Sequence, residues 1–129
     1  MIQNGELLLI DMQAVTMGPP ILDLVAIFRD MISAPKNSPE TIEQSAGMSA
    51  ELITKTGNLF FMKYTGITDP TELEAYYKKL GLLYAFNVVI MVGSGSPRAE
   101  ARADLIMENL LRPIVIPNEQ AICGLYKTM

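Results

Sequence analysis

The stretch that decides the fold runs from Asn4 to Leu24 and reads NGELLLIDMQAVTMGPPILDL. Its Asn4-Gly5 pair is a strong signal for a two-residue hairpin turn, because both central residues of a type I′ turn require positive φ. The apolar run Leu7 to Ile10 follows and predicts a short buried strand. That strand ends at Asp11, and ligand-binding residues are often found where regular elements end. These features predict an N-terminal β-hairpin over residues 1–11.

The remainder of the sequence predicts helices. Apolar residues recur with helical spacing from Ile21 to Ile32, which indicates a first amphipathic helix after Pro19-Pro20. The run Asp69-Pro70-Thr71-Glu72 combines a cap, a proline at the first position and an acid, and it predicts the start of a long helix. That helix reaches about Val92, and its apolar second half predicts that it is the central helix.

The predicted fold is mainly α within the α+β class, as one domain over residues 1–129. A hairpin over residues 1–11 would be followed by a helical subdomain of four or five helices over residues 19–126. Prolines are expected to interrupt the helices, because proline lacks an N–H group and its ring disturbs the preceding turn. Pro35 would end the first helix, and Pro113 would precede an extended Ile114-Val115-Ile116. In a helix from about Ala50 to Tyr64, five residues are expected to face inward: Leu52, Ile53, Leu59, Phe60 and Tyr64.

Composition limits the classes of function. The chain has 129 residues, of which 50% are hydrophobic and 19% charged, with a net charge of −4. An acidic chain is a poor partner for nucleic acid or for an anionic membrane, so neither is expected to bind. The single Cys123 provides neither a disulfide framework nor a zinc site. No signal peptide and no apolar run of membrane-spanning length is visible, which predicts a cytoplasmic protein.

Three short motifs occur in a characteristic order after the predicted hairpin. They are Ile10-Asp11, Gly18-Pro19-Pro20 and Asp23-Leu24. In this order they resemble the aminoglycoside phosphotransferase and choline kinase group of small-molecule kinases, which share the protein-kinase-like fold. The resemblance covers roughly the first quarter of the chain. It implies that the hairpin and helices correspond to the C-terminal lobe of such a kinase.

The resemblance also implies roles for two acids. Asp11 would bind Mg²⁺, and Asp23 would support the catalytic loop as a structural residue. The full enzyme would use Mg²⁺ and ATP to phosphorylate a hydroxyl group of a small molecule. The family's His-Gly-Asp-x-x-x-x-Asn loop has no counterpart here, because the sequence contains no His. The chain is therefore expected to hold no catalytic residue and to be an acceptor-side fragment that is inactive alone.

Other interpretations of the same residues remain open. Asp11 is also compatible with a turn after a strand, and Asp23 with an ordinary first-turn acid that favours the helix dipole. The tyrosines Tyr76, Tyr77 and Tyr84 would line either a substrate cleft or the core. The chain as a whole would alternatively be a non-catalytic helical domain that forms a homodimer or binds a partner protein, through the hairpin edge or an apolar surface. An unrelated helical protein that matches by chance is a third possibility.

Overall fold

The computed structural model describes residues 2–3, 6–7, 20–95, 97 and 101–127. This part of the chain is mostly helical, at 87%, and contains five helices. The first, α1, covers residues 21–37 and joins Ile21–Phe28, a π-helical segment Arg29–Ser33 and Ala34–Asn37. The next three helices are α2 (Pro39–Ala46), α3 (Ala50–Thr65) and α4 (Pro70–Gly93). The last, α5, covers residues 103–127 and joins Ala103–Ile106, a π-helical segment Met107–Val115, a 3-10 turn Ile116–Asn118 and Glu119–Lys127.

The predicted α+β class with an N-terminal β-hairpin over residues 1–11 is wrong. Strand conformation in the described residues is limited to Ile2–Gln3 and Glu6–Leu7, which pair antiparallel with Ile2 opposite Leu7. Strands in globular proteins usually have about three to ten residues, so two paired residues per strand form no sheet layer. The predicted strand end at Asp11 lies outside the described residues. The fold class of the described chain is therefore α-helical.

The centre of the fold is α4, as the sequence predicted, but its buried residues run from Leu73 to Ala85 and do not include the apolar end of the helix on which the prediction rested. Its residues Leu80 and Leu83 are fully buried, and Tyr77 is buried beside them. The Tyr77 ring lies 5.7 Å from the ring of Phe28 in α1 and 5.2 Å from the ring of Phe61 in α3. This aromatic cluster therefore joins three helices in one core. No described helix has the length and apolar composition needed to cross a membrane.

Hydrogen bonds from capping side chains explain where two of the helices begin. Asp69 Oδ1 accepts hydrogen bonds from the backbone N–H groups of Thr71 and Glu72, each at 2.9 Å. Ser49 Oγ accepts one from the N–H of Leu52 at 3.3 Å. These side chains satisfy donors that the first turn of a helix leaves without partners. The predicted helix starts at Asp69-Pro70 and at about Ala50 are confirmed.

The predicted helix ends at Pro35 and before Pro113 are wrong. Helix α1 continues through Pro35 to Asn37, and residues 114–116 are helical rather than extended. In a regular α-helix a proline ring collides with the carbonyl group four residues earlier. A π-helical segment ends at Ser33, two residues before Pro35, and another contains Pro113. The wider π turn moves the preceding carbonyl groups, so both helices continue past their prolines.

The predicted inward face of α3 is wrong in part, because Leu52, Leu59 and Tyr64 are exposed. Helix α3 approaches α1 so closely that a Cβ atom built on Gly57 would lie 2.8 Å from the Cβ atom of Met31. This contact fixes the side of α3 that faces the core and turns the other side to solvent. The residues of α3 that are buried are Ile53, Gly57 and Phe61.

Candidate functional site

The structure does not position the predicted metal ligand, because Asp11 lies outside the described residues. Within the described ranges, no group of three or more Cys, Asp or Glu side chains is arranged to hold a metal ion. Mg²⁺ in proteins is usually bound by one or two carboxylates together with waters and phosphate groups.

Asp23 lies in the first turn of α1, immediately after Pro20. Its side chain is exposed, whereas Ile21 and Leu24 on the other side of the same turn are buried. Ile21 and Leu24 pack against the core, so the Asp23 carboxylate on the opposite side of the turn points away from the core. A negative charge at this position is also favoured by the positive end of the helix dipole. The Asp23 carboxylate is thus available to a group outside the helical core.

A small hollow of about 240 Å³ lies beside this turn and is lined by Pro20, Ile21, Leu24, Tyr64 and Tyr76. Tyr76 is half-buried, and burial raises the pKa of its hydroxyl group, with a smaller contribution from Tyr64. Tyrosine provides an apolar ring and a polar tip, which suits a small organic molecule that carries hydroxyl groups. The hollow offers both features to such a molecule.

The other two tyrosines differ from Tyr76 in their environment. The hydroxyl group of Tyr77 donates a hydrogen bond to Asn58 Oδ1 at 2.8 Å and so connects α4 to α3. Burial, followed by the nearby charge of Glu74, raises the pKa of Tyr77 to about 12. Tyr84 is half-buried against the core. Tyr77 and Tyr84 are thus mainly core residues, and of the three tyrosines only Tyr76 lines the hollow at the start of α1.

A second cavity, of about 280 Å³, lies between the C-terminal half of α1 and α4. Its lining combines an apolar floor with a polar rim that includes two lysines, Lys36 and Lys78. The floor consists of Phe28, Ile32, Tyr77 and Gly81, and the rim of Ser33, Lys36, Asn37, Glu74 and Lys78.

The sequence did not predict this second cavity. Ser33, Lys36 and Asn37 have the i, i+3, i+4 spacing that puts side chains on one face of a helix. Glu74 and Lys78 share a face of α4 for the same reason. No motif indicates that these two faces meet, because only the packing of α1 on α4 brings them together. Helical spacing of polar residues was the one signal in the sequence, and it is common on solvated surfaces.

No family model, curated protein or solved structure matches the chain. An inference about function therefore depends on the motifs between Asn4 and Leu24 and on the geometry of the described surface.

Proposed function

We propose that this chain is the C-terminal, acceptor-side part of an ATP-dependent phosphotransferase that acts on a hydroxyl group of a small molecule. The observation that carries the proposal is the position of Asp23. It lies at the start of a helix that follows Ile10-Asp11 and Gly18-Pro19-Pro20, and its carboxylate points away from the core. In the kinases that the motifs resemble, an acid at this position supports the catalytic loop.

Each part of the chain would have a separate role. Asp11 would bind Mg²⁺, and ATP would be the phosphoryl donor. Asp23 would act as a positioning residue by accepting hydrogen bonds from backbone N–H groups of the catalytic loop. The hollow with Tyr64 and Tyr76 would form part of the acceptor side, where positioning of the hydroxyl group contributes to the rate. The chain would not catalyse phosphoryl transfer alone, because it contains no His-Gly-Asp loop.

Paramagnetic Mn²⁺ in place of Mg²⁺ provides a direct test of the metal assignment. Mn²⁺ and ATP are titrated into the ¹⁵N-labelled chain, and the broadening of each amide resonance is recorded. We expect weak binding that broadens the resonances of residues near Asp11 first, and we expect Asp11→Asn to abolish this broadening. Asp104→Asn is the matched control, because Asp104 is an exposed first-turn acid of another helix. Broadening that persists in Asp11→Asn would remove the metal role from this residue.

The size of the native polypeptide tests the catalytic part of the proposal. Mass spectrometry of the protein from its source cells gives the mass and the N-terminal sequence. A product more than twice the 14.2 kDa of this chain, with a His-Gly-Asp-x-x-x-x-Asn sequence just before Met1, would support the kinase assignment. A product that starts at Met1 would rule out catalysis by this protein and favour the second candidate below.

That second candidate is a non-catalytic domain that associates with another copy of itself. One observation favours it: the burial of α4 ends at Ala85, although the following residues are the most apolar part of the helix. Ile90 and Met91 are 49% and 48% exposed, and three valines around them are only half-buried. We call this surface, Val88 to Val92, the apolar end of α4. Contiguous apolar surface of this kind is typical of protein–protein contacts.

A further inference from the structure

We propose that the cavity between α1 and α4 binds a small molecule with an anionic group and an apolar body, and that Lys36 and Lys78 hold the anionic group. This site is separate from the proposed phosphotransferase function. Lys36 follows Asp23 by thirteen residues on α1, which is about 20 Å at the rise of a helix. An anionic group held at Lys36 would therefore lie far along α1 from the Asp23 carboxylate, although the floor of the cavity reaches back to Phe28.

The charges at the rim favour an anion. Neither Lys36 nor Lys78 forms a hydrogen bond or an ion pair with any residue that the structure describes. The ion pair within the described residues joins Arg29 to Asp30, at 2.6 Å, and involves neither lysine. Glu74 also lies at the rim but is not within ion-pair distance of either lysine. Two cations and one acid leave the rim with a net positive charge, in a chain whose total charge is −4. An anion at this rim would be attracted by both lysines.

Neutral groups at the rim supply hydrogen-bond donors. Asn37 Nδ2 donates to Ser33 Oγ at 3.2 Å, so the hydroxyl group of Ser33 is used as an acceptor. Its own proton, and the second N–H of Asn37, remain available to donate. The Tyr77 hydroxyl group donates to Asn58 and is therefore not a donor for a ligand. The available neutral donors of the rim thus lie on α1, beside Lys36, and Lys78 is the donor from α4.

The floor of the cavity is apolar and would contact the apolar body of the ligand. Phe28, Ile32 and Tyr77 provide apolar contact, and Gly81 leaves room where another residue would place a side chain. The volume of about 280 Å³ is near the lower end of the usual range for ligand sites, so a single ring or a short chain fits. The π-helical segment Arg29–Ser33 borders this cavity, and π turns are frequent at functional sites.

Binding of phenyl phosphate and of benzoate, measured by isothermal titration calorimetry and by amide chemical-shift changes, tests the proposal. These two probes distinguish a phosphate from a carboxylate ligand, while inorganic phosphate and benzyl alcohol represent the anionic and apolar parts alone. We expect at least one of the two complete probes to bind more tightly than either part. The double variant Lys36→Gln/Lys78→Gln should weaken that binding by about tenfold or more, because charge-assisted hydrogen bonds are lost.

Lys79→Gln is the matched control, because Lys79 is the exposed neighbour of Lys78 and does not line the cavity. It removes one positive charge, whereas the double variant removes two, and it should change the dissociation constant less than about twofold, because Lys79 does not line the cavity and would form no hydrogen bond there to the anionic group. Gly81→Leu should block the complete probes by filling the floor while leaving any binding of inorganic phosphate unchanged. Equal weakening by Lys79→Gln and the double variant would overturn the proposal. Failure of both complete probes to bind, or binding of inorganic phosphate alone, would overturn it as well.

Discussion

Gly57 is the residue on which the contact between α1 and α3 depends. A Cβ atom at this position would lie 2.8 Å from Met31 Cβ and 3.2 Å from the Met31 carbonyl oxygen. These atoms belong to the backbone or are bonded directly to it, so they move only if a helix moves. We expect Gly57→Ala to lower the free energy of unfolding by about 1–2 kcal/mol, because overpacking exceeds the gain in helix propensity. Urea denaturation followed by circular dichroism gives the value.

Gly81→Ala is the control for that variant. Its Cβ atom would lie 3.9 Å from the Phe28 ring, which is an ordinary contact. We expect this variant to be stabilised by up to about 1 kcal/mol through helix propensity alone. If the two alanine variants changed stability in the same direction, the close approach at Gly57 would not be the cause.

Tyr77 should make stability depend on pH in the alkaline range. Its pKa is raised to about 12 by burial, whereas the unfolded chain ionises near the ordinary value of about 10. Between these two values the folded state holds a proton that the unfolded state has lost, so the free energy of unfolding falls as pH rises. We expect Tyr77 to contribute a loss on the order of 1 kcal/mol across this window.

The variant Tyr77→Phe separates this ionisation from the other alkaline titrations. It should lose about 1 kcal/mol at neutral pH, because Asn58 loses its hydrogen-bond donor, and it should show a shallower decline above pH 10. Tyr64→Phe, at an exposed tyrosine, should keep the decline of the wild type. Thermal unfolding at several pH values provides the comparison. An unchanged slope in Tyr77→Phe would assign the alkaline loss to another group.

Single residues were predictable where local chemistry determines them. Tyr77 was predicted to line either a substrate cleft or the core, and it is buried in the core of the structure. The lysines of the second cavity were not predictable, because their significance arises only when α1 packs on α4. Asp11 stays a prediction, since it lies outside the described residues.

The side chains at the starts of three helices differ in the number and length of their capping hydrogen bonds, so their contributions to stability can be compared. Asp69 accepts two backbone hydrogen bonds at 2.9 Å and Ser49 accepts one at 3.3 Å, whereas Ser38 before α2 accepts none as a cap. We expect Asp69→Ala to cost about 1–2 kcal/mol, Ser49→Ala about 0.5–1 kcal/mol and Ser38→Ala very little. Chemical denaturation of the three variants gives the order. A loss at Ser38 as large as that at Asp69 would show that capping is not the origin of the effect.

Helix ends were less predictable than helix starts, and proline is the reason. A cap such as Asp69 acts within three residues, so its effect can be recognised in the sequence. A proline ends a helix only if the backbone cannot widen around it. Near Pro35 and Pro113 the backbone adopts π turns, and tertiary contacts such as that between Met31 and Gly57 accompany the first of them. Those contacts are formed by distant residues, so local sequence could not reveal them.

For the whole molecule, the predicted balance of strand and helix was wrong, although the helical part was largely as expected. The hairpin prediction depended on Asn4-Gly5 and on a short apolar run, and a two-residue ladder does not establish a sheet. The helical part depended on periodicity over 12 to 24 residues, for which the sequence signal is stronger. The helical pattern extends over many more residues than the hairpin pattern. This difference explains why the prediction of α4 as the central helix was right and the prediction of an N-terminal sheet was wrong.

Association is the property of the whole molecule that separates its two candidate functions. If the apolar end of α4 contacts a second copy, sedimentation equilibrium should detect a dimer whose population rises with concentration. The double variant Ile90→Lys/Met91→Lys should remain monomeric, because two charges in such a contact have no partner. Leu105→Lys is the control, since Leu105 is 60% exposed on α5 and should not alter the equilibrium. A wild-type chain that is monomeric at every concentration would exclude the self-associating domain, whereas the acceptor-side kinase fragment does not require such a contact.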